Sequence, residues 1–126
     1  MKRLLILSSL LLLIAVAACS SPDSDPASMA VEAFYGALNE AQYEQALGHY
    51  NDELRQTLGN PDSGFDEWAK AETKDGSIEK VEIKGAEELE GEKTVTYKIV
   101  YKDGSAVDRS VSLTGSDDDW KLGFIR

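Results

Sequence analysis

Residues 94–113 read TVTYKIVYKDGSAVDRSVSL, and they decide the fold class because hydropathy alternates with a period of two on both sides of one turn. Val95, Tyr97, Ile99 and Tyr101 alternate with Thr94, Thr96 and Lys98; Val107, Arg109, Val111 and Leu113 repeat the pattern after Lys102-Asp103-Gly104-Ser105. Such alternation marks half-buried strands, and two of them around an Asp-Gly turn make a hairpin. Loop length then selects the register. A two-residue Asp-Gly loop would set Ile99 against Asp108 and Tyr97 against Ser110, laying an apolar row over a polar one. A three-residue loop, Lys102 to Gly104 with Gly104 left-handed, sets Ile99 against Val107 and Val95 against Val111. The second register keeps one face apolar and is the expected one. It also sets Arg109 beside Tyr97, one cation on an apolar face, where its stem can pack and its head can rest on a ring.

Outward from this hairpin the pattern continues. Val81 and Ile83 open an earlier strand expected to end near Gly85, and Glu87 to Glu92 reads as an acidic turn region centred on Gly91. Trp120, Leu122 and Phe124 form a fourth strand after the Gly115 to Asp119 turn. Thr94, Thr96, Lys98, Ser110 and Ser112 make the outward row, whose polarity argues against a large hydrophobic dimer surface. Before the strands the period becomes helical. Asp25 can cap a helix of roughly Pro26 to Leu38, with Ala27, Ala30, Val31, Phe34, Tyr35 and Leu38 on one face. Tyr43, Ala46, Leu47 and Tyr50 suggest a second helix that resumes through Leu54 to Leu58 and stops at Gly59-Asn60-Pro61. A third, about Phe65 to Ala71, offers Phe65, Trp68 and Ala69. Helices first and an antiparallel meander second make an α+β layout, N-terminal helices packed on a four-stranded antiparallel sheet. Phe34, Leu38, Leu47, Trp68 and Tyr97 are expected to share one core with the inner sheet face.

The N-terminus fixes a destination. Lys2 and Arg3 precede an apolar run from Leu4 to Ala18, too short for a stable membrane anchor and flanked as a secretory signal is. Val16-Ala17-Ala18-Cys19 resembles the lipobox of bacterial lipoproteins. That resemblance implies diacylglycerol on the Cys19 sulfur, cleavage before it and a membrane held through lipid. Ser20, rather than Asp, resembles the sorting signal for the outer membrane, so the domain would face the periplasm of a two-membraned bacterium. The chain thus divides into a signal peptide, residues 1–18, a lipidated tether, 19–26, and one α+β domain, 27–126. Seven extended tether residues reach about 23 Å, so the domain would work close to the lipid. Cleavage takes the formal charge from −10 to −12, because the signal holds Lys2 and Arg3 and no acid. This acidity argues against nucleic acid, whose phosphates need clustered Lys and Arg. Cys19 is the sole cysteine, so no disulfide staples the fold.

Ala33-Phe34-Tyr35-Gly36-Ala37-Leu38, then Tyr43-Glu44-Gln45-Ala46-Leu47, then Tyr97 to Asp103-Gly104-Ser105 and a closing Trp120-Lys121-Leu122 resemble the small bacterial lipoproteins of domain of unknown function 4878. These belong to the cystatin-like class of nuclear transport factor 2 and ketosteroid isomerase. The resemblance implies a curved sheet wrapped round helices in a cone, often with a pocket between them. Members serve as enzymes, dimerising transport factors and accessory binding domains, so fold leaves function open. Isomerases of the class use a carboxylate base and an oxyanion site of Tyr with a protonated acid. No acid here matches that base, and almost every Asp and Glu falls in turns or on polar sides. His49, the one histidine, has Asp52 and Glu53 beside it, an acid–base pair in sequence only. Phosphate loops, histidine pairs and a nucleophile elbow are missing, and no cofactor is expected. Asp117-Asp118-Asp119 and Asp23-x-Asp25 lack the spacing of a calcium loop, so no metal site is expected either.

The expected role is therefore a non-catalytic binding or protein-interaction one, with a homodimer or an envelope protein as partner. The alternative is a small-molecule-binding or isomerase-like enzyme using a pocket between helices and sheet. The candidate pocket is Tyr35, Tyr97, Arg109 and Trp120, where rings, a fixed cation and an apolar lining coincide. Arg109 would recognise an anionic or hydroxylated end of an apolar or anionic ligand. Its structural alternative is to snorkel to the sheet edge or to pair with an acid of the Glu87 to Glu92 turn. Substituting Cys19→Ala is expected to abolish palmitate incorporation and signal cleavage in metabolically labelled cells; label retained by the variant would remove the lipoprotein assignment.

Overall fold

The computed structural model describes residues 25–126. The signal, Cys19, Ser20 and Asp23 lie outside the described residues. The first helix, α1 (Pro26–Asn39), starts where Asp25 accepts hydrogen bonds from the backbone N–H groups of Ala27 and Ser28, with Pro26 at its first position. It buries Ala27, Val31, Phe34, Tyr35 and Leu38. Asn39 closes it by gripping the backbone of Ile78: its Oδ1 accepts from Ile78 N at 3.0 Å and its Nδ2 donates to Ile78 O at 3.3 Å. Then come α2 (Tyr43–Leu47), α3 (Asp52–Leu58), a 3₁₀ turn (Pro61–Ser63) and α4 (Phe65–Thr73).

The second helix is shorter than its apolar spacing suggested. It ends at Leu47, and residues 49–51 run beside the last strand instead, where Leu122 N donates to His49 O at 2.8 Å and Asn51 N to Leu122 O at 3.0 Å. This segment covers a sheet edge that would otherwise expose unpaired backbone groups. Asn51 then caps α3 by accepting from Leu54 N.

Four antiparallel strands follow in sequence order, β1 (Ile78–Leu89), β2 (Glu92–Tyr101), β3 (Ala106–Ser116) and β4 (Asp119–Ile125). The central hairpin has the register that its pattern requires: Ile99 faces Val107, Tyr97 faces Arg109 and Val95 faces Val111, with Gly104 at φ +91° in the loop. The N-terminal helices pack on this sheet in a cone-like arrangement, an α+β fold. Phe34, Leu38 and Tyr97 are buried at its centre, while Leu47 and Trp68 pack against the core from its rim.

Two expectations are corrected. β1 does not end near Gly85: a register shift between Ile83 and Gly85 breaks the alternation, and the strand resumes with Ala86 opposite Val95 and Leu89 opposite Glu92. Glu87 to Glu92 is thus mostly strand, and the turn is Glu90-Gly91, both left-handed as a tight hairpin turn demands. At the other edge the pairing slips between Val111 and Leu113, so Ile125 packs inward and Phe124 points out, 73% exposed. Gly123 permits the slip, because a Cβ there would sit 3.0 Å from Ser112 O.

Candidate functional site

The last turn of α4 delivers a carboxylate into the space between helices and sheet. Phe65, Ala69 and Glu72 follow helical spacing, so the apolar face that docks α4 carries Glu72 inward as well. From β3, Arg109 meets it with both prongs of its guanidinium: Nε donates to Oε2 and Nη2 to Oε1, each at 3.0 Å. From α1, the Tyr35 hydroxyl donates to Oε2 at 2.8 Å. The Tyr35 and Tyr97 hydroxyls are 2.7 Å apart. Tyr35 has spent its one proton on Glu72, so Tyr97 is the donor in that pair. Tyr101 donates to the Glu72 backbone carbonyl.

Tyr35 and Tyr97 are each 1% exposed, and the Glu72 side chain 5%. Burial, reinforced by neighbouring Tyr97 and Glu72, pushes the Tyr35 phenol far above its usual range. Burial does the same to Tyr97, partly offset by the hydrogen bond to Tyr35. Both phenols are fixed neutral donors. Hydrogen bonding to Glu72 raises Arg109 further above its already high value. A general base must reach the proton it removes, whereas this carboxylate is enclosed and both oxygens are engaged. The cluster ties α1, α4, β2 and β3 together at one point.

The sequence-derived set is therefore divided. Tyr35, Tyr97 and Arg109 come together, but around Glu72, a residue that sequence reading did not single out. Arg109 pairs with that helical acid and not with the Glu87 to Glu92 hairpin. Trp120 stands elsewhere: it faces Gly115, six residues along β3 from Arg109, or about 20 Å at 3.3 Å per residue. There its ring carries Lys93 Nζ at 4.8 Å from the centroid, and Lys93 also pairs with Asp25 at the start of α1. Trp120 thus fastens the first helix to the far end of the sheet.

His49 is half-buried, and burial followed by the nearby Lys121 charge lowers its pKa. Asp52 pairs with Arg55 at 3.2 Å, so the His49 acid–base pair suggested by sequence adjacency is not assembled. Among the described residues no group of three or more His, Cys, Asp or Glu side chains is placed to hold a metal ion, and no helix is long and apolar enough to cross a membrane.

An opening lies on the side of the cone where α3, the 3₁₀ turn, α4 and the end of β4 meet. It is a cleft of about 290 Å³ walled by Tyr50, Leu54, Phe65, Trp68, Phe124 and Ile125. The remaining lining, Leu58, Ser63 and Gly64, adds no charge. Rings dominate it: Tyr50 and Phe65 meet edge-on with centroids 6.1 Å apart, and Phe65 and Trp68 lie 5.7 Å apart. Gly64, at φ +79°, makes the sharp passage into α4. Sequence reading missed this cleft because its walls come from four elements and its rim depends on the slip that turns Phe124 outward.

No family model matches the chain, and no curated protein does. Two solved structures share its fold. A crystal structure of an NTF2-like protein from Campylobacter jejuni, provisionally named a transpeptidase, superposes with a TM-score of 0.57 at 11% identity, covering 73% of this chain and 92% of that one. The solution structure of a SEC-C motif containing protein from Rhodopseudomonas palustris gives 0.54 at 11% identity, covering 73% and 70%. At such identity the likeness is one of fold alone, shared with the NTF2-like protein and with the SEC-C motif containing one.

Breaking the buried pair from one side leaves the other group uncompensated. Arg109→Leu is expected to lower unfolding stability by about 3 kcal/mol, read from urea titration. Adding Glu72→Leu to it should cost less than the two single losses together. Strictly additive losses would show that the two side chains do not act as a unit.

Proposed function

We propose that this chain is a lipid-anchored cell-envelope protein that binds a small apolar molecule in the cleft between α3, α4 and the end of β4, without catalysing a reaction on it. The observation that carries the reading is the cleft itself, open, aromatic-walled and free of charge, with Phe124 73% exposed at its rim. Large apolar side chains left in water beside a concave apolar surface favour a partner that covers both. The NTF2-like fold accommodates such a role between helices and sheet. The enclosure of Glu72 favours binding over catalysis, since this acid is committed to Arg109 and Tyr35. The anchor reading rests on Val16 to Cys19, and the resemblance of the helix and hairpin motifs to the lipoproteins of domain of unknown function 4878 supports it. An outer-membrane position facing the periplasm follows from Ser20.

Fluorescence titration of the purified protein with the neutral dye N-phenyl-1-naphthylamine tests the cleft. Saturable binding is expected, and Phe124→Ser should weaken it by about tenfold, the equivalent of burying much of one phenyl ring, with the melting temperature unchanged because Phe124 is exposed. Absence of binding, or equal binding by the variant, would overturn the reading.

A further inference from the structure

We infer that the outer face of the sheet, beside the end of β4, carries a second binding site, one for the ring of a neutral sugar. The pairing identifies the face. Glu92 stands opposite Thr114 and Thr94 opposite Ser112, while the neighbouring Val111 and Leu113 are buried. Alternation along a strand then turns Glu92, Ser112 and Thr114 away from the core. A hollow of about 240 Å³ lies over them, bordered also by Asn51, Phe124 and Arg126. It is separate from the cleft proposed above, with which it shares only Phe124.

The lining is of two kinds. Phe124 is largely exposed because the slip at Gly123 turns it out of the core. Its ring offers a face of negative π charge, which attracts C–H groups. Around it stand a carboxylate, a guanidinium, two hydroxyls and the Asn51 amide, whose Oδ1 caps α3. The side chains of Glu92, Arg126, Ser112 and Thr114 make no hydrogen bond or ion pair with another described residue. Glu92 and Arg126 thus border one hollow without closing on each other.

This combination selects the ligand class. An apolar molecule would strip water from both charges and both hydroxyls and put nothing in its place. A simple anion meets Arg126 but also Glu92, and a simple cation meets the reverse. A pyranose with equatorial substituents suits both kinds of lining. Its axial C–H groups make an apolar face for Phe124, and its hydroxyls, each donor and acceptor, serve Glu92 and Arg126 at once. The hollow, at about 240 Å³, exceeds the cavity of about 150 Å³ that holds one benzene. That leaves room for a six-membered ring with its hydroxyls.

Methyl β-D-glucopyranoside, added to the ¹⁵N-labelled protein and followed in ¹H–¹⁵N spectra, tests this. Saturable shifts are expected at the amides of Thr114, Gly123 and Phe124. Glucitol, an open-chain polyol with no ring face, should bind at least about fivefold more weakly, a comparison that needs no variant to fold. Glu92→Ala should weaken the glucoside about tenfold, and Phe124→Leu, which keeps an apolar rim but loses the π face, about fivefold. Binding of N-phenyl-1-naphthylamine, which reports the cleft, should change less than about twofold in Glu92→Ala. Cellotetraose separates the two sources of such a ring: it binds more tightly than the glucoside if the site takes a ring within a chain, and equally if it takes a free sugar, and both results keep the inference. No saturable shift with the glucoside, as when a second copy of the chain covers this face, would overturn it. So would glucitol binding as tightly, or an unaltered affinity in Glu92→Ala, and each would leave the cleft reading standing. Glucoside binding without dye binding would instead remove the cleft reading and keep the sugar site.

Discussion

A carboxylate buried between helices and sheet must be met by charge and hydrogen bonds, and Glu72 imposes that requirement on the whole interior. Arg109 supplies the charge from β3, Tyr35 a proton from α1, and Tyr97 a second donor behind Tyr35. Each partner comes from a different element, so satisfying one side chain fixes how α1, α4, β2 and β3 sit against one another. The same cluster occupies the middle of the cone. The interior at that point is taken by the protein's own polar groups, and an open apolar cleft lies to the side, toward Phe124 and Trp68.

The central hairpin was legible because one physical rule, a single apolar face, leaves one register. Residues 95–111 obey it without interruption, and the three-residue loop with a left-handed Gly104 follows. The first helix was legible for the same kind of reason, with Asp25 and Pro26 marking its start. The misreadings share a cause as well. At Ile83 to Gly85 and at Gly123-Phe124 the pairing slips, and a slip reverses the alternation from which inward and outward positions are read. β1 looked too short and Phe124 looked buried for that reason.

The site was partly legible. Helical spacing put Tyr35 inward and the hairpin register put Arg109 beside Tyr97, so three of the four chosen residues meet. Trp120 was chosen for its face of the sheet, which alternation reveals, without its distance along the strand, which pairing with Gly115 fixes. Glu72 was overlooked within the polar run Glu72-Thr73-Lys74-Asp75, although its spacing from Phe65 and Ala69 marks it as inward. Composition hid what periodicity showed. The cleft had no sequence signal at all, since its walls come from separate elements that meet only in the assembled fold.

The two tryptophans stand at separate places on the molecule, Trp68 in the cleft wall and Trp120 on the Lys93 clamp near the start of α1. Their indole N–H signals in a ¹H–¹⁵N spectrum report on the two places independently. If the filled interior directs binding to the cleft, titration with N-phenyl-1-naphthylamine shifts the Trp68 signal and leaves that of Trp120 in place. Movement of the Trp120 signal with Trp68 still would contradict it and return the binding site to the other end of the sheet.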